Sequence, residues 1–203
     1  PQAPGRLKPM TEAPQLFPIL SPRLETLAGE FATVLADPPW PVKSYRGMAH
    51  PITGFKTEER RIVSAPMPYP TLSIPEITAL RPPAARDAHL YLWTINAHIP
   101  DAYKIARAWK FRPVTLLVWI KAPYGRIIGG TFSNTTEYLL FARRGRLKTK
   151  RRHDSTWFSY PRGAHSEKPE AFQTLIESVS PGPYLEMFAR RPRDGWTVWG
   201  NQV

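Results

Sequence analysis

Cysteine is absent from this chain of 203 residues, which rules out disulfides and thiolate metal sites. The five histidines show no metal-ligand spacing, so no metal is expected. No Ser, His and Asp set suggests a catalytic triad. No apolar run approaches the roughly 20 residues of a membrane-spanning helix, and no signal peptide is evident. The expectation is therefore a cytoplasmic protein without membrane association. Acidic residues are few beside the basic ones, 16 against 28, which leaves a net charge of +12. That imbalance suits a polyanionic partner. Hydrophobic residues make up 42% of the chain, enough to build the core of one domain.

Proline is the residue in surplus, with 24 copies, and it punctuates the chain. Residues 1–30 are proline-rich and aperiodic and read as an extended arm, with one domain over 31–203. Phe31 to Ala36 is a short apolar run suited to a buried strand. It stops at Asp37-Pro38-Pro39-Trp40. A long proline-bearing loop is expected from Pro41 to about Tyr69. Ser73 followed by Glu76 is a capping box opening a short helix through Leu80. Strands are predicted over 88–94 and 114–121, with a helix over 100–110 between them. Another strand is predicted over 137–142, after a glycine-rich turn at 125–130. Pro169 is expected as the first residue of a helix running to Val179. The last strands are predicted over 184–189 and 196–199. Strands alternating with helices imply an α/β fold, a Rossmann-like three-layer sandwich.

Asp37 to Trp40 falls just past the carboxyl end of a buried strand, where ligands bind in open α/β sheets. An Asp-Pro-Pro turn in that place is by itself commonly plain structure. As chemistry, it offers a carboxylate and rigid carbonyls. Two such acceptors suit an amino group whose lone pair is delocalised into an aromatic ring, because taking both N–H bonds favours a tetrahedral nitrogen. Trp40 could stack on the base.

The tetrapeptide resembles the aspartate-proline-proline-aromatic signature of amino-group DNA and RNA methyltransferases. With tryptophan last, it is similar to the family that contains the catalytic subunit of the eukaryotic messenger-RNA adenine methyltransferase, together with bacterial and phage relatives. Tyr69-Pro-Thr-Leu72, Leu90-Tyr-Leu-Trp93 and Val118-Trp-Ile-Lys121 resemble further family segments. So do Glu137 to Gly145, His165 to Pro169, Ser180-Pro-Gly182, Leu185 to Arg190, and Trp199-Gly-Asn201-Gln202.

The resemblance implies a class I S-adenosylmethionine-dependent enzyme that methylates the 6-amino nitrogen of adenine, in DNA more than in RNA. A catalytically silent nucleic-acid-binding partner subunit is the alternative, and a homodimer or a related partner subunit is possible. Asp37, Pro38, Pro39 and Trp40 would be catalytic. Tyr69, Lys121 and Glu137 would meet the substrate. Cofactor contacts fall to Asp37, Lys168, Glu186, Phe188, Arg190, Asn201 and Gln202. Lys168 would pair with the methionine carboxylate. Glu186 would accept from ribose hydroxyls or face the sulfonium, or be an interior carboxylate paired with Arg190. Phe188 would be an apolar wall or a core residue. Asn201 and Gln202 would meet ribose or adenine edges, or stay exposed in the tail.

Arg143 to Arg152 holds seven cations and no acid. Such a run is commonly a solvated rim. Next to an adenine pocket it would grip phosphates, through Arg151 and Arg152 in particular.

Overall fold

The computed structural model describes residues 24, 27–42, 44–45, 64–65, 70–122, 132, 134–161, 163 and 167–200. Their strands are β1 (Phe31–Ala36), β2 (Ser44–Tyr45), β3 (Ser64–Ala65), β4 (Ala84–Thr94), β5 (Arg112–Ala122), β6 (Thr136–Arg144), β7 (Trp157–Pro161), β8 (Tyr184–Met187) and β9 (Trp196–Trp199). The helices are α1 (Ile74–Ala79), α2 (Ile99–Ala108) and α3 (Ala171–Val179), with a single 3-10 turn at Asn96–His98 ahead of α2. Seven strands form one sheet in the order β7-β5-β6-β4-β1-β8-β9, and β2 pairs with β3 in a separate ribbon.

All pairings in the large sheet are parallel except those made by β6, which runs antiparallel to both β4 and β5. β1 is central and nearly continuous in apolar residues, because both of its faces are covered. Side chains alternate between faces, so parity sorts the core. Val34 and Ala36 of β1, Leu90 and Leu92 of β4, and Leu140 and Ala142 of β6 pack with Ile77 of α1 and Ile105 of α2. Leu35, Tyr91, Trp93 and Leu139 point the other way, onto Phe172 and Ile176 of α3. The result is a three-layer α/β sandwich with α1 and α2 on one face and α3 on the other. Leu24, from the end of the expected arm, is buried in the first of these cores.

The capping box forms as expected: the Glu76 N–H reaches Ser73 Oγ, and the Ser73 N–H donates to Glu76 Oε2 at 2.7 Å. Three expectations need correction. Pro169 is not the first helical residue; it precedes the N-cap Glu170, and its carbonyl accepts the Phe172 N–H at 3.0 Å. The strand after Ser180-Pro-Gly182 ends at Met187 rather than Ala189, because Phe188 adopts a left-handed backbone with φ of 64°. The edge strand β7 has no counterpart in the sequence reading. The expected 41–69 loop contains the β2–β3 ribbon, and the glycine-rich turn at 125–130 lies outside the described residues.

From β1 the chain crosses to β4 on one side, while β8 arrives on the other side and leads on to β9. The carboxyl ends of β1 and β8 therefore flank a topological switch point, where an open α/β sheet leaves a crevice.

Candidate active site

Asp37 follows Ala36 in the alternation of β1, so it points toward the α3 face, as Leu35 does. Trp93 ends β4 on that face. Glu137 is the second residue of β6 and, because β6 is antiparallel, comes to the same end of the sheet. Lys121 stands near the end of β5, close to Glu137. A row of side chains across four strand ends thus meets the segment that precedes α3.

Lys168 occupies the middle of this row. Its Nζ donates to both carboxylate oxygens of Asp37, at 3.0 and 2.8 Å. It also lies 3.3 Å from Glu137 Oε2. Glu137 Oε1 in turn accepts from Lys121 Nζ. Lys168 crosses from β1 to β6 over β4, with its Nζ 5.3 Å from the centroid of the Trp93 ring, a cation–π contact. The four charges alternate in sign and sum to zero. Their side chains are 13–21% exposed, so water screens them little. Burial works against ionising Glu137, but Lys168 and Lys121 outweigh it and hold its carboxyl below the ordinary value. Burial likewise opposes the charge on Lys168, and Asp37 with Glu137 holds its ammonium above the ordinary value.

The Asp-Pro-Pro-Trp turn is braced from three directions. The Pro38 carbonyl accepts the Trp40 N–H at 2.9 Å, and the Pro39 carbonyl accepts the Leu72 N–H at 2.9 Å. Trp40 Nε1 donates to the Trp93 carbonyl at 3.1 Å. The expectation that Trp40 stacks on a base is corrected by its position. It is 6% exposed, and one ring face is stacked on His98 at 5.2 Å. Trp40 fixes the turn to β4 from inside the core. A carbonyl has two lone pairs, so Pro38 keeps one acceptor direction beyond its bond to Trp40.

Next to Asp37, a cleft of about 550 Å³ opens at the switch point. Leu35, Trp93 and Phe172 form apolar parts of its wall, and Lys168, Glu186 and Arg190 bring charge to it. Glu186 of β8 accepts from Gln173 Nε2 of α3 at 2.7 Å. Burial pushes the Glu186 carboxyl up to about 6, against the pull of that hydrogen bond. Phe188 lines the cleft and sets its ring edge-to-face on Trp199 at 5.5 Å. Arg191 spans the mouth, pairing with Glu167 at 2.8 Å and Glu170 at 3.2 Å.

Of the expected site residues, the structure brings together Asp37, Lys121, Glu137 and Lys168 as one network, and Asp37, Lys168, Glu186, Phe188 and Arg190 in one cleft. Tyr69, Asn201 and Gln202 lie outside the described residues. Trp93, Gln173 and Arg191 escaped the sequence reading. Trp93 was legible in principle, since it shares the parity of Tyr91 and ends its strand. The basic run begins at the wrong end for an adenine pocket: Arg143 and Arg144 close β6 at the end opposite Glu137. Arg151 and Arg152 are exposed, and Arg152 meets Asp154 at 3.6 Å with both side chains in solvent, a pair of little energetic weight.

Comparison with known proteins places these features in a wider set. The MT-A70 family profile matches residues 31–202. The chain is 30% identical to the Type II methyltransferase M.MunI of Mycoplasma sp, over 86% of this chain and 78% of that protein. It is 28% identical to an N(6)-adenosine-methyltransferase MT-A70-like protein of Drosophila melanogaster, over 88% of this chain and 28% of that protein. It is 26% identical to the N(6)-adenine-specific methyltransferase METTL4 of Homo sapiens, over 85% of this chain and 37% of that protein. The chain thus spans most of the bacterial relative and about a third or less of these two animal ones.

Proposed function

Because this chain belongs to the MT-A70 family, we propose that it transfers a methyl group from S-adenosylmethionine to the 6-amino nitrogen of adenine in nucleic acid, DNA in preference to RNA. The observation that carries this reading is Asp37. It is a carboxylate fixed at the end of the central strand, on the wall of a cleft that opens at the switch point. The choice of DNA follows proportion: the chain covers 78% of the Type II methyltransferase and 28% of the Drosophila adenosine methyltransferase.

The cleft suits the cofactor in its donor set. Leu35, Phe172 and Phe188 offer apolar surface to the purine and thioether parts. The Glu186 carboxylate is an acceptor for ribose hydroxyls, and Arg190 is a cation for the methionine carboxylate, with the Lys168 charge close by. When bound, the cofactor supplies a methyl group on a sulfonium sulfur. Asp37 accepts one N–H of the adenine amino group, and the Pro38 carbonyl accepts the other through its remaining lone pair. These two bonds pull the nitrogen toward tetrahedral geometry and localise its lone pair for in-line attack. The bound cofactor would supply the methyl group to that lone pair, and Asp37 would take up the proton that the amino nitrogen sheds and pass it to solvent. Lys168 holds Asp37 in place for this task. Each Asp37 oxygen has more than one lone pair, so the lysine contact leaves room for the amino group. Positioning supplies most of the rate, and the fixed charges favour the transition state.

The test is incubation with labelled S-adenosylmethionine and, separately, single-stranded DNA, duplex DNA and RNA, followed by nucleoside analysis. Label in N6-methyladenine from DNA is expected. Asp37→Ala should lower turnover by at least about a hundredfold while the protein stays folded. A folded variant that methylates at the normal rate would remove Asp37 from the mechanism. Substrate binding without label from any nucleic acid would point to the silent partner subunit.

A further inference from the structure

β6 carries Glu137 to the cleft and Arg144 to the opposite end of the sheet. Its seven intervening rises put these residues about 23 Å apart. At that far rim, Arg143 lies directly across from Arg112 in the β5–β6 ladder, and Arg144 lies across from Ala88. Like charges directly opposed in antiparallel strands destabilise the pair. Lys110 adds a further exposed cation in the turn that enters β5, and Arg86, Arg146 and Lys148 are exposed nearby. Asp87 stands among them, but its Oδ1 is taken by the backbone N–H of Arg146 at 2.6 Å. Arg143 donates to the Leu147 carbonyl and Arg144 to the Ala84 carbonyl, contacts that hold the guanidinium groups without neutralising them. Among the described residues, none of these cations forms an ion pair with a carboxylate.

A fold that concentrates repelling charges on one rim leaves their compensation to something outside it. We propose that this rim is a second phosphate-binding surface, separate from the methyl-transfer cleft, which grips the backbone of the same nucleic acid away from the target base. The inference rests on the proposed nucleic-acid substrate. Its ligand is the sugar–phosphate backbone, read without regard to sequence. Arg151 and Arg152 extend the surface along the flank toward β7. The rim sets affinity and register on a long substrate and takes no part in the reaction.

The experiment compares hairpin duplexes with stems of about 6 and about 20 base pairs, roughly 20 and 68 Å long, by fluorescence anisotropy at several salt concentrations. With the target adenine at the centre of each stem, the short one extends only about 10 Å to either side and stops short of the rim, whereas the long one extends about 34 Å and reaches it. The variant is Arg86→Gln, Lys110→Asn and Arg112→Gln combined. Asparagine is chosen at 110 because that residue has φ of 65°, where asparagine is tolerated. The wild type should bind the long stem at least about tenfold more tightly than the short one. The variant should lose that advantage, keep its short-stem affinity, and show a salt dependence shallower by up to about three log units of slope. Arg112→Gln alone should weaken long-stem binding without lowering the melting temperature, because it relieves the opposition to Arg143. Should the triple variant fold poorly, the Arg112→Gln and Lys110→Asn single variants carry the test, each with a slope shallower by about one. An equal length advantage in wild type and variant would overturn the proposal. So would an equal loss on short and long stems, or a charge-dependent loss seen only on vesicles of anionic lipid. Binding is read without turnover, so absent methyl transfer with an intact length effect would fault the proposed reaction and not the rim.

Discussion

Lys168 has three N–H donors and directs them at two carboxylates. Removing one partner from a buried pair costs about 3–5 kcal/mol, because it strands the other. Here the chain runs on to Lys121, so each acid and each of the two lysines leans on a neighbour, and perturbation at one site is felt at the next. Glu186 is held differently. Gln173 is neutral, so burial wins and the carboxyl is pushed up to about 6. Between its ordinary value near 4.5 and about 6, the folded protein keeps a proton that the unfolded chain has released. The contribution of this group to stability is therefore greatest at low pH and falls as pH rises through that window, by at most about 2 kcal/mol. Cofactor affinity should move the opposite way, since only the ionised carboxylate accepts two hydroxyl donors. Calorimetric titration should show binding weakening as pH drops below about 6, with proton release on binding in that range. Glu186→Gln should abolish this pH dependence. An affinity that is flat with pH in the wild type would remove Glu186 from the ribose site.

The elements read most clearly from the sequence are those with one dominant local signal. β1 was an unbroken apolar run, α1 carried its capping box, and α2 a periodic stripe between two prolines. The strands at the sheet centre were found with ends short by a few residues, because Arg86 and Arg112 look like loop residues although the ladder continues through them. β7 was missed for a physical reason. Trp157 is 61% exposed, so the large residue that should mark an inward face points outward, and Pro161 is tolerated only because the strand is at an edge. The Asp-Pro-Pro-Trp turn was found as chemistry, but the direction of its tryptophan was not, since a ring that caps a core and a ring that stacks on a ligand look alike in sequence. The two roles separate in Trp40→Phe. That change leaves the Trp93 carbonyl without its donor and opens space beside His98. It should cost about 2 kcal/mol in urea unfolding and lower methyl transfer by displacing Asp37, with little effect on substrate KM. A variant of normal stability with a raised KM for nucleic acid would restore the stacking role.

At the scale of the whole molecule, the cleft joins the two ends of the domain: β1 supplies Leu35 and Asp37, with Trp93 of β4 beside them, while the other wall comes from residues 167–191. The ion chain was beyond sequence reasoning because it depends on which strands become neighbours, here β1, β4, β6 and β5 in that order. Cofactor in such a cleft ties the two ends together. At a hundredfold excess over its Kd it should stabilise the fold by about 2.7 kcal/mol, raising the melting temperature by about 5–10 °C. Hydrogen exchange should slow in β1 and β8 together. Protection confined to one of them would mean that the ligand sits on one wall only.

The antiparallel course of β6 has an evolutionary consequence. A slip of the whole of β6 by one residue against its neighbours would turn Glu137 away from α3 and, by the same rotation, exchange Arg143 with Arg144 between the faces of the far rim. The two ends of that strand cannot be tuned separately by a change of register. Lineages that adjust one end alone are left with point substitution or a local bulge within the strand.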